Sequence, residues 1–196
     1  MDPIRVAVIG HGLIGSRRAA AIAALSTHLP VNLVAVVDPE PTPADHLVGV
    51  ATLTSVDQLD GLNIDTAVVA VPHFETLASL SQLEQLGVSA MLVEKPLGLD
   101  IAEAHRCAAI LESTQLASFV GLNYRHLPNV ERVLQDVAAG RLGRLRSVDL
   151  KVAHGGSPSD RNSWKLDPTK AGAGVMSDRK STRLNSSHAN ISYAVF

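Results

Sequence analysis

A chain of 196 residues with 46% apolar composition has material for one well-packed domain and part of another. Its 17 basic and 19 acidic residues leave a net charge of -2, which excludes a strongly basic field for gripping nucleic acid or an anionic membrane and directs attention to small-molecule partners. Met1-Asp2-Pro3 leads straight into an apolar stretch at 4–9 with no basic segment or cleavage site, so a cytoplasmic setting without a secretory signal is expected.

Short runs rich in Val and Ile alternate with longer helical patterns, the order of a parallel sheet covered by crossover helices. Strands are expected at 4–9, 33–37, 66–71 and 89–93, with a weaker one near 48–51. In the first crossover, Ile14, Ile22, Leu25 and Leu29 fall on one helical face, and Leu77, Leu80 and Leu83 mark a later helix. A third helix is expected over 101–111. Cys107 lies there among Ile101, Ala104, Ala108 and Leu111, so it reads as a small buried side chain with no disulfide partner and no catalytic role. A sixth strand at 117–122 closes the domain. The next helix, with Val130, Val133, Leu134 and Val137 on one side, ends at Gly140. Apolar and polar residues then alternate over 145–152, as in a half-exposed strand, so a second domain is expected to begin at 123. The fold class is therefore α/β: a doubly wound parallel sheet over 1–122, then the start of a second domain from 123.

Gly10-His11-Gly12-Leu13-Ile14-Gly15 stands between the first strand and the first helix. In this context Gly10 permits a tight turn, Gly12 lets backbone approach a diphosphate, and Gly15 lets helix and strand pack closely. The helix amino end then faces the anion. Asp38 ends the second strand 23 residues after Gly15, close to the roughly 20 expected of the acid that binds the adenosine ribose hydroxyls. A carboxylate there repels the 2′-phosphate of NADP, so NAD is the favoured cofactor. Arg18 falls in the apolar stripe of the first helix. It is expected to snorkel outward, with a phosphate contact as the other reading. His11 occupies a variable position of the loop and is expected to be exposed.

Glu94-Lys95-Pro96 follows the fifth strand directly, where ligands of open parallel sheets bind. Pro96 biases Lys95 toward an extended backbone and can itself follow a cis bond. His73 and Glu75, after Pro72, either line the cofactor crevice or belong to a solvated loop. Tyr124, Arg125 and His126 lie at the crossover between domains, facing ligand or packing a hinge. The histidines form no HExxH or Cys/His ligand pattern, so no metal is expected.

Taken together, the glycine loop, Asp38, the Glu94-Lys95-Pro96 triplet, Gly121-Leu122-Asn123-Tyr124-Arg125 and the segment from Trp164 to Asp178 resemble the Gfo/Idh/MocA oxidoreductases, the family of glucose-fructose oxidoreductase and inositol 2-dehydrogenase. The resemblance runs from residue 1 to about 178. It implies a Rossmann domain whose cofactor contacts come from Gly10, Gly12, Leu13, Ile14, Gly15, Asp38, Pro72, Glu94, Lys95 and Asn123. It also implies that Lys95 contacts the substrate and assists proton transfer while hydride passes between nicotinamide and a secondary hydroxyl of a sugar, polyol or related compound. Asp178 matches the aspartate of the family's Asp-x-Gly-x-His segment and is the second catalytic candidate. The match stops there: position 180 is Lys180, not glycine, and position 182 is Thr182, not histidine. The tail over 179–196, with His188 in a Ser/Asn-rich tract, does not resemble the family. These features lead to the expectation of an α/β substrate domain that starts over 123–178 and is cut short before it is complete, in a chain that binds cofactor without completing catalysis. The intact parent is expected to be a homo-oligomer. A non-catalytic nucleotide-binding regulator is the alternative.

Overall fold

The computed structural model describes residues 2–40, 47–112, 117–144, 146, 148–149, 164, 167–171 and 192–193. The chain divides into two compact units, Met1–Gly121 and Leu122–Phe196.

In the first unit, β-branched runs form the strands β1 (Ile4–Ile9), β2 (Val31–Val37), β3 (Ala51–Leu53), β4 (Thr66–Val69), β5 (Ala90–Val93) and β6 (Ala117–Val120). Every pairing is parallel, and the strands lie in the order β3-β2-β1-β4-β5-β6. That is the doubly wound arrangement in which the chain reverses direction beside β1, leaving a crevice at the carboxyl ends of β1 and β4. Three helices make the crossovers: α1 (Leu13–Leu25), α2 (Thr76–Gln85) and α3 (Ile101–Glu112).

Alternate residues of each strand supply two separate cores, as a sheet covered on both faces requires. Ala7, Ile9, Ala35, Val37, Val69, Met91 and Val93 face Leu80 and Leu83 of α2 and Cys107 and Leu111 of α3. Val6, Val8, Leu33, Val36 and Val68 form a core with Ala19 of α1 and the buried Leu47, with Ile22 and Ala23 at its margin. Cys107 is fully enclosed; its burial, then the nearby Glu103 charge, push the thiol above its ordinary range, while Arg106 opposes them.

Two expectations fail here, both for a physical reason. The inward stripe of α1 is Gly15, Ala19, Ile22 and Ala23, whereas Ile14 and Leu25 are exposed and Leu29 lies beyond the helix. Close approach of helix to sheet needs small side chains, so the larger apolar residues are displaced to the outer side. The strand expected near 48–51 is instead β3, because Val48 is 92% exposed in a turn and only Ala51–Leu53 pairs with β2.

The second unit contains a 3-10 turn at Asn123–His126, α4 (Pro128–Ala138) and the short α5 (Pro168–Ala171). The helix expected to end at Gly140 does so, with Gly140 at φ +69 just beyond it. No residue of α4 is buried within the described structure, and Val133 and Leu134 of its apolar side are exposed. Of the strand expected over 145–152, the described residues contain β7 (Val148–Asp149), paired antiparallel with β8 (Ser192–Tyr193). No helix among the described residues is long and apolar enough to cross a membrane.

The reassignment of α1 is testable by urea titration. Leu83→Ala should cost about 2–5 kcal/mol, as expected of a cavity in a core. Leu25→Ala should cost less than about 0.5 kcal/mol. Equal losses would place Leu25 in a core after all.

Candidate functional site

The site is built where β1 turns into α1. Gly10 leaves β1 at φ +85, and a Cβ on it would stand 2.8 Å from the carbonyl carbon and oxygen of Ala70 and 2.9 Å from the Val71 nitrogen. Its own amide donates to the Val37 carbonyl at 2.7 Å, so the turn stays bound to β2 on one side and pressed on the exit of β4 on the other. Gly15 is more tightly constrained: a Cβ there would lie 1.7 Å from the Gly10 carbonyl oxygen. Gly12 differs. It caps α1 at φ -67 and ψ -165, and a Cβ added to it would meet nothing within 4 Å. The loop is thus packed tightly behind Gly10 and Gly15 and open in front of Gly12.

Into that open space the first turn of α1 presents backbone. The helical ladder starts with the Ser16 amide donating to the Gly12 carbonyl at 2.8 Å, so the amides of Leu13 and Ile14 have no intrahelical carbonyl to meet. The side chains of Leu13 and Ile14 are exposed, 71% and 41%. Free amides, a helix dipole and an open approach fit the diphosphate of a dinucleotide.

Asp38 stands at the end of β2 beside the loop. One carboxylate oxygen accepts the His11 amide at 2.7 Å and the other accepts the Glu40 amide at 3.0 Å. Its own amide donates to the Leu53 carbonyl at 2.9 Å. The acid is therefore oriented before any ligand arrives, and each oxygen keeps a second lone pair for a ribose hydroxyl.

His11 is not exposed, as its position in the loop had led us to expect, but 5% exposed. With its amide held by Asp38 and its carbonyl accepting the Ser16 hydroxyl at 2.9 Å, the backbone is fixed at both ends and the ring lies inside. Neither ring nitrogen has a hydrogen-bond partner among the described residues. Since both nitrogens are sealed from solvent, the ring is no direct contact for a ligand arriving from the crevice, and its desolvation costs about 1–3 kcal/mol.

The second cluster follows β5. The Glu94 amide donates to the Val69 carbonyl at 2.8 Å, and the bond between Lys95 and Pro96 is cis. Lys95 is half-buried at the carboxyl end of the sheet. Arg18 does not snorkel outward. Its guanidinium turns to Glu94, with both Nε, at 2.8 Å, and Nη2 donating to Oε1. Gly121, just past β6, packs against the same carboxylate. Neither the Arg18 pairing nor the Gly121 contact was foreseen; a charged residue one turn from Gly15 on an otherwise small-residue stripe was the available sign.

The other sequence candidates are distributed as follows. Pro72 precedes a 3-10 turn at His73–Glu75 at the exit of β4, in which His73 is buried and Glu75 exposed. Thr76 follows, buried at the start of α2. Asn123 and Arg125 are exposed in the 3-10 turn of the second unit, where His126 Nδ1 lies 3.6 Å from Glu131 Oε1. Asp167 accepts the Thr169 hydroxyl and amide at the start of α5, which hold its carboxyl below the ordinary range. Asp178, Lys180, Thr182 and His188 lie outside the described residues.

Denaturant titration of loop variants separates packing from ligand space. Gly15→Ala should cost about 3 kcal/mol or more, since backbone cannot yield to the new Cβ. Gly12→Ala should cost no more than about 1 kcal/mol. His11→Leu should gain about 1 kcal/mol by removing unpaired nitrogens. A tolerated Gly15→Ala would contradict the packing described above.

Comparison with known proteins gives the same picture. The model of the Gfo/Idh/MocA oxidoreductase family, described as an NAD-binding Rossmann fold, matches residues 4–122. The chain is 31% identical over 157 residues to myo-inositol dehydrogenase Hyg17 of Streptomyces leeuwenhoekii, covering 78% of this chain and 46% of that protein. It is 27% identical over 151 residues to the rhizopine catabolism protein MocA of Rhizobium meliloti, covering 76% of this chain and 46% of that protein. Among solved structures, myo-inositol 2-dehydrogenase from Lactobacillus plantarum superposes with a TM-score of 0.72 at 24% identity, over 90% of this chain and 53% of that one. The chain therefore spans about half the length of the curated relatives it matches. Strand order, loop geometry and the matched family model agree, and the chain belongs to the Gfo/Idh/MocA oxidoreductases, with their NAD-binding Rossmann domain in its first unit.

Proposed function

We propose that this chain carries the cofactor half of an NAD-dependent dehydrogenase that moves hydride between nicotinamide and a secondary hydroxyl of a sugar, polyol or related small molecule. The observation that supports it best is the glycine loop pinned to Asp38: the loop's open side offers free amides, and the acid beside it is already oriented.

In this reading the amides of Gly12, Leu13 and Ile14 hold the diphosphate, with Gly10 and Gly15 shaping the turn. Asp38 accepts hydrogen bonds from the adenosine ribose and disfavours a 2′-phosphate, so NAD is preferred to NADP. Pro72, Glu94 and Lys95 border the nicotinamide end, and Asn123 is a further cofactor-contact candidate that the family resemblance implies. Bound NAD supplies the hydride acceptor. The alcohol oxidation this would serve takes a hydride from the carbinol carbon and leaves the hydroxyl proton for a base, so the chain's own residues would have to hold the hydroxyl and manage that proton. The Lys95 ammonium holds the hydroxyl oxygen and steadies the charge that builds on it, while Asp178 belongs to the segment expected to orient the base. The relative named as a myo-inositol dehydrogenase favours a polyhydroxylated substrate.

Two measurements test this. By calorimetry, Asp38→Ser should shift the NADP-to-NAD affinity ratio toward NADP by about tenfold or more. An unchanged ratio would remove Asp38 from cofactor choice. In NAD-linked oxidation of polyols by the intact dehydrogenase, Lys95→Ala should lower turnover by about a hundredfold or more while NAD affinity stays within about twofold. Equal loss of both would make Lys95 structural.

A further inference from the structure

The Glu94 side chain is 10% exposed and is enclosed by α1 and the turn after β6. Two donors of Arg18, from α1, converge on Oε1, with Nε at 2.8 Å. Behind the carboxylate stands the backbone of Gly121, where a Cβ would come within 2.8 Å of Cδ and Oε2 and 2.9 Å of Oε1. The peptide is fixed as well: the Glu94 amide donates to Val69 and the Gly121 amide donates to Val93, at 2.8 and 2.7 Å, which ties the turn to the ends of β4, β5 and β6.

An ion pair this enclosed adds little net stability, because desolvating both charges offsets most of their attraction. Its placement is more informative. Arg18 lies three residues after Gly15 on the helix whose amino end faces the diphosphate position, and Glu94 immediately precedes Lys95. The pair thus connects the anion-holding helix to the lysine turn. Without the guanidinium, an uncompensated carboxylate would remain in an enclosed position, where it draws in water or turns its side chain away from Gly121. Either response shifts the peptide that carries Lys95.

We propose that Arg18 is a positioning residue for the nicotinamide end of the cofactor site: by holding the Glu94 carboxylate against Gly121 it fixes the Glu94-Lys95-Pro96 turn, without itself touching the cofactor. The inference rests on the dehydrogenase reading above, and binding of two ligands separates the two. NADH has a nicotinamide ring, whereas ADP-ribose carries the adenosine, the diphosphate and the terminal ribose without it.

Arg18→Met should weaken NADH by about tenfold, equivalent to the loss of about 1.4 kcal/mol, while ADP-ribose affinity stays within about twofold. Arg18→Lys, which keeps the charge but loses the planar fork, should recover part of the NADH affinity. Glu94→Gln should weaken NADH selectively as well, and the double variant Arg18→Met with Glu94→Gln should bind NADH no more weakly than the worse single variant. Should Arg18→Met fail to fold, Arg18→Lys and Glu94→Gln carry the same comparison. Equal losses for NADH and ADP-ribose would overturn the proposal in favour of a direct phosphate contact or a merely structural pair. Unchanged NADH affinity in every variant would overturn it outright. If the unsubstituted chain bound neither ligand, the dehydrogenase reading itself would fail, a result distinct from both.

Discussion

The structure depends on one close approach, that of the first turn of α1 to the end of β1. Where a Cβ on Gly15 would lie 1.7 Å from the Gly10 carbonyl oxygen, there is room for hydrogen alone. That contact brings the helix down onto the sheet and sets the direction of its amino end. It also explains the small inward stripe of α1, since Ala19 and Ala23 continue the same narrow gap along the helix. Asp38 completes the arrangement by taking the His11 amide, so that the turn, the helix start and the end of β2 form a single hydrogen-bonded unit. On the proposed reading, a ligand diphosphate meets backbone that is already in place, so little ordering entropy opposes binding.

The carboxyl ends of β4, β5 and β6 form a second rigid corner. There Glu94 is bound through its backbone to Val69 and through its side chain to Arg18, with Gly121 packed behind it. The two corners share α1, which carries the glycine loop at one end and Arg18 one turn further on. On the proposed reading, cofactor and lysine are in this way referred to the same helix, which serves a reaction whose partners must be placed to within about 1 Å of the productive geometry.

Much of this was legible in the residues, and the exceptions have physical causes. Buried parallel strands announce themselves as Val- and Ile-rich runs, and β1, β2, β4 and β5 fall within a few residues of their expected ends. The glycine spacing is legible because Gly10 and Gly15 answer separate steric needs while Gly12 leaves the space in front of the loop open, and Glu94-Lys95-Pro96 because it follows a strand directly. The buried face of α1 was not, because Gly15, Ala19 and Ala23 have little hydropathy and the larger Ile14 and Leu25 dominate the periodicity while facing solvent. β3 was misplaced because Val48, the more apolar residue, sits in a turn. The partner of Arg18 lies 76 positions away, and no local pattern encodes a contact of that separation. His11 was read from its position in the loop, whereas its burial follows from bonds made to Asp38 and Ser16.

The central claim is that a glycine loop open in front of Gly12, beside an acid already oriented by that loop, holds a nicotinamide dinucleotide. Equilibrium titration of the unsubstituted chain with NADH, followed by nicotinamide fluorescence, tests it most directly. Saturation at one equivalent, with displacement by NAD, is the predicted result. Natively folded chain that shows no saturable change with either form of the cofactor would contradict the account.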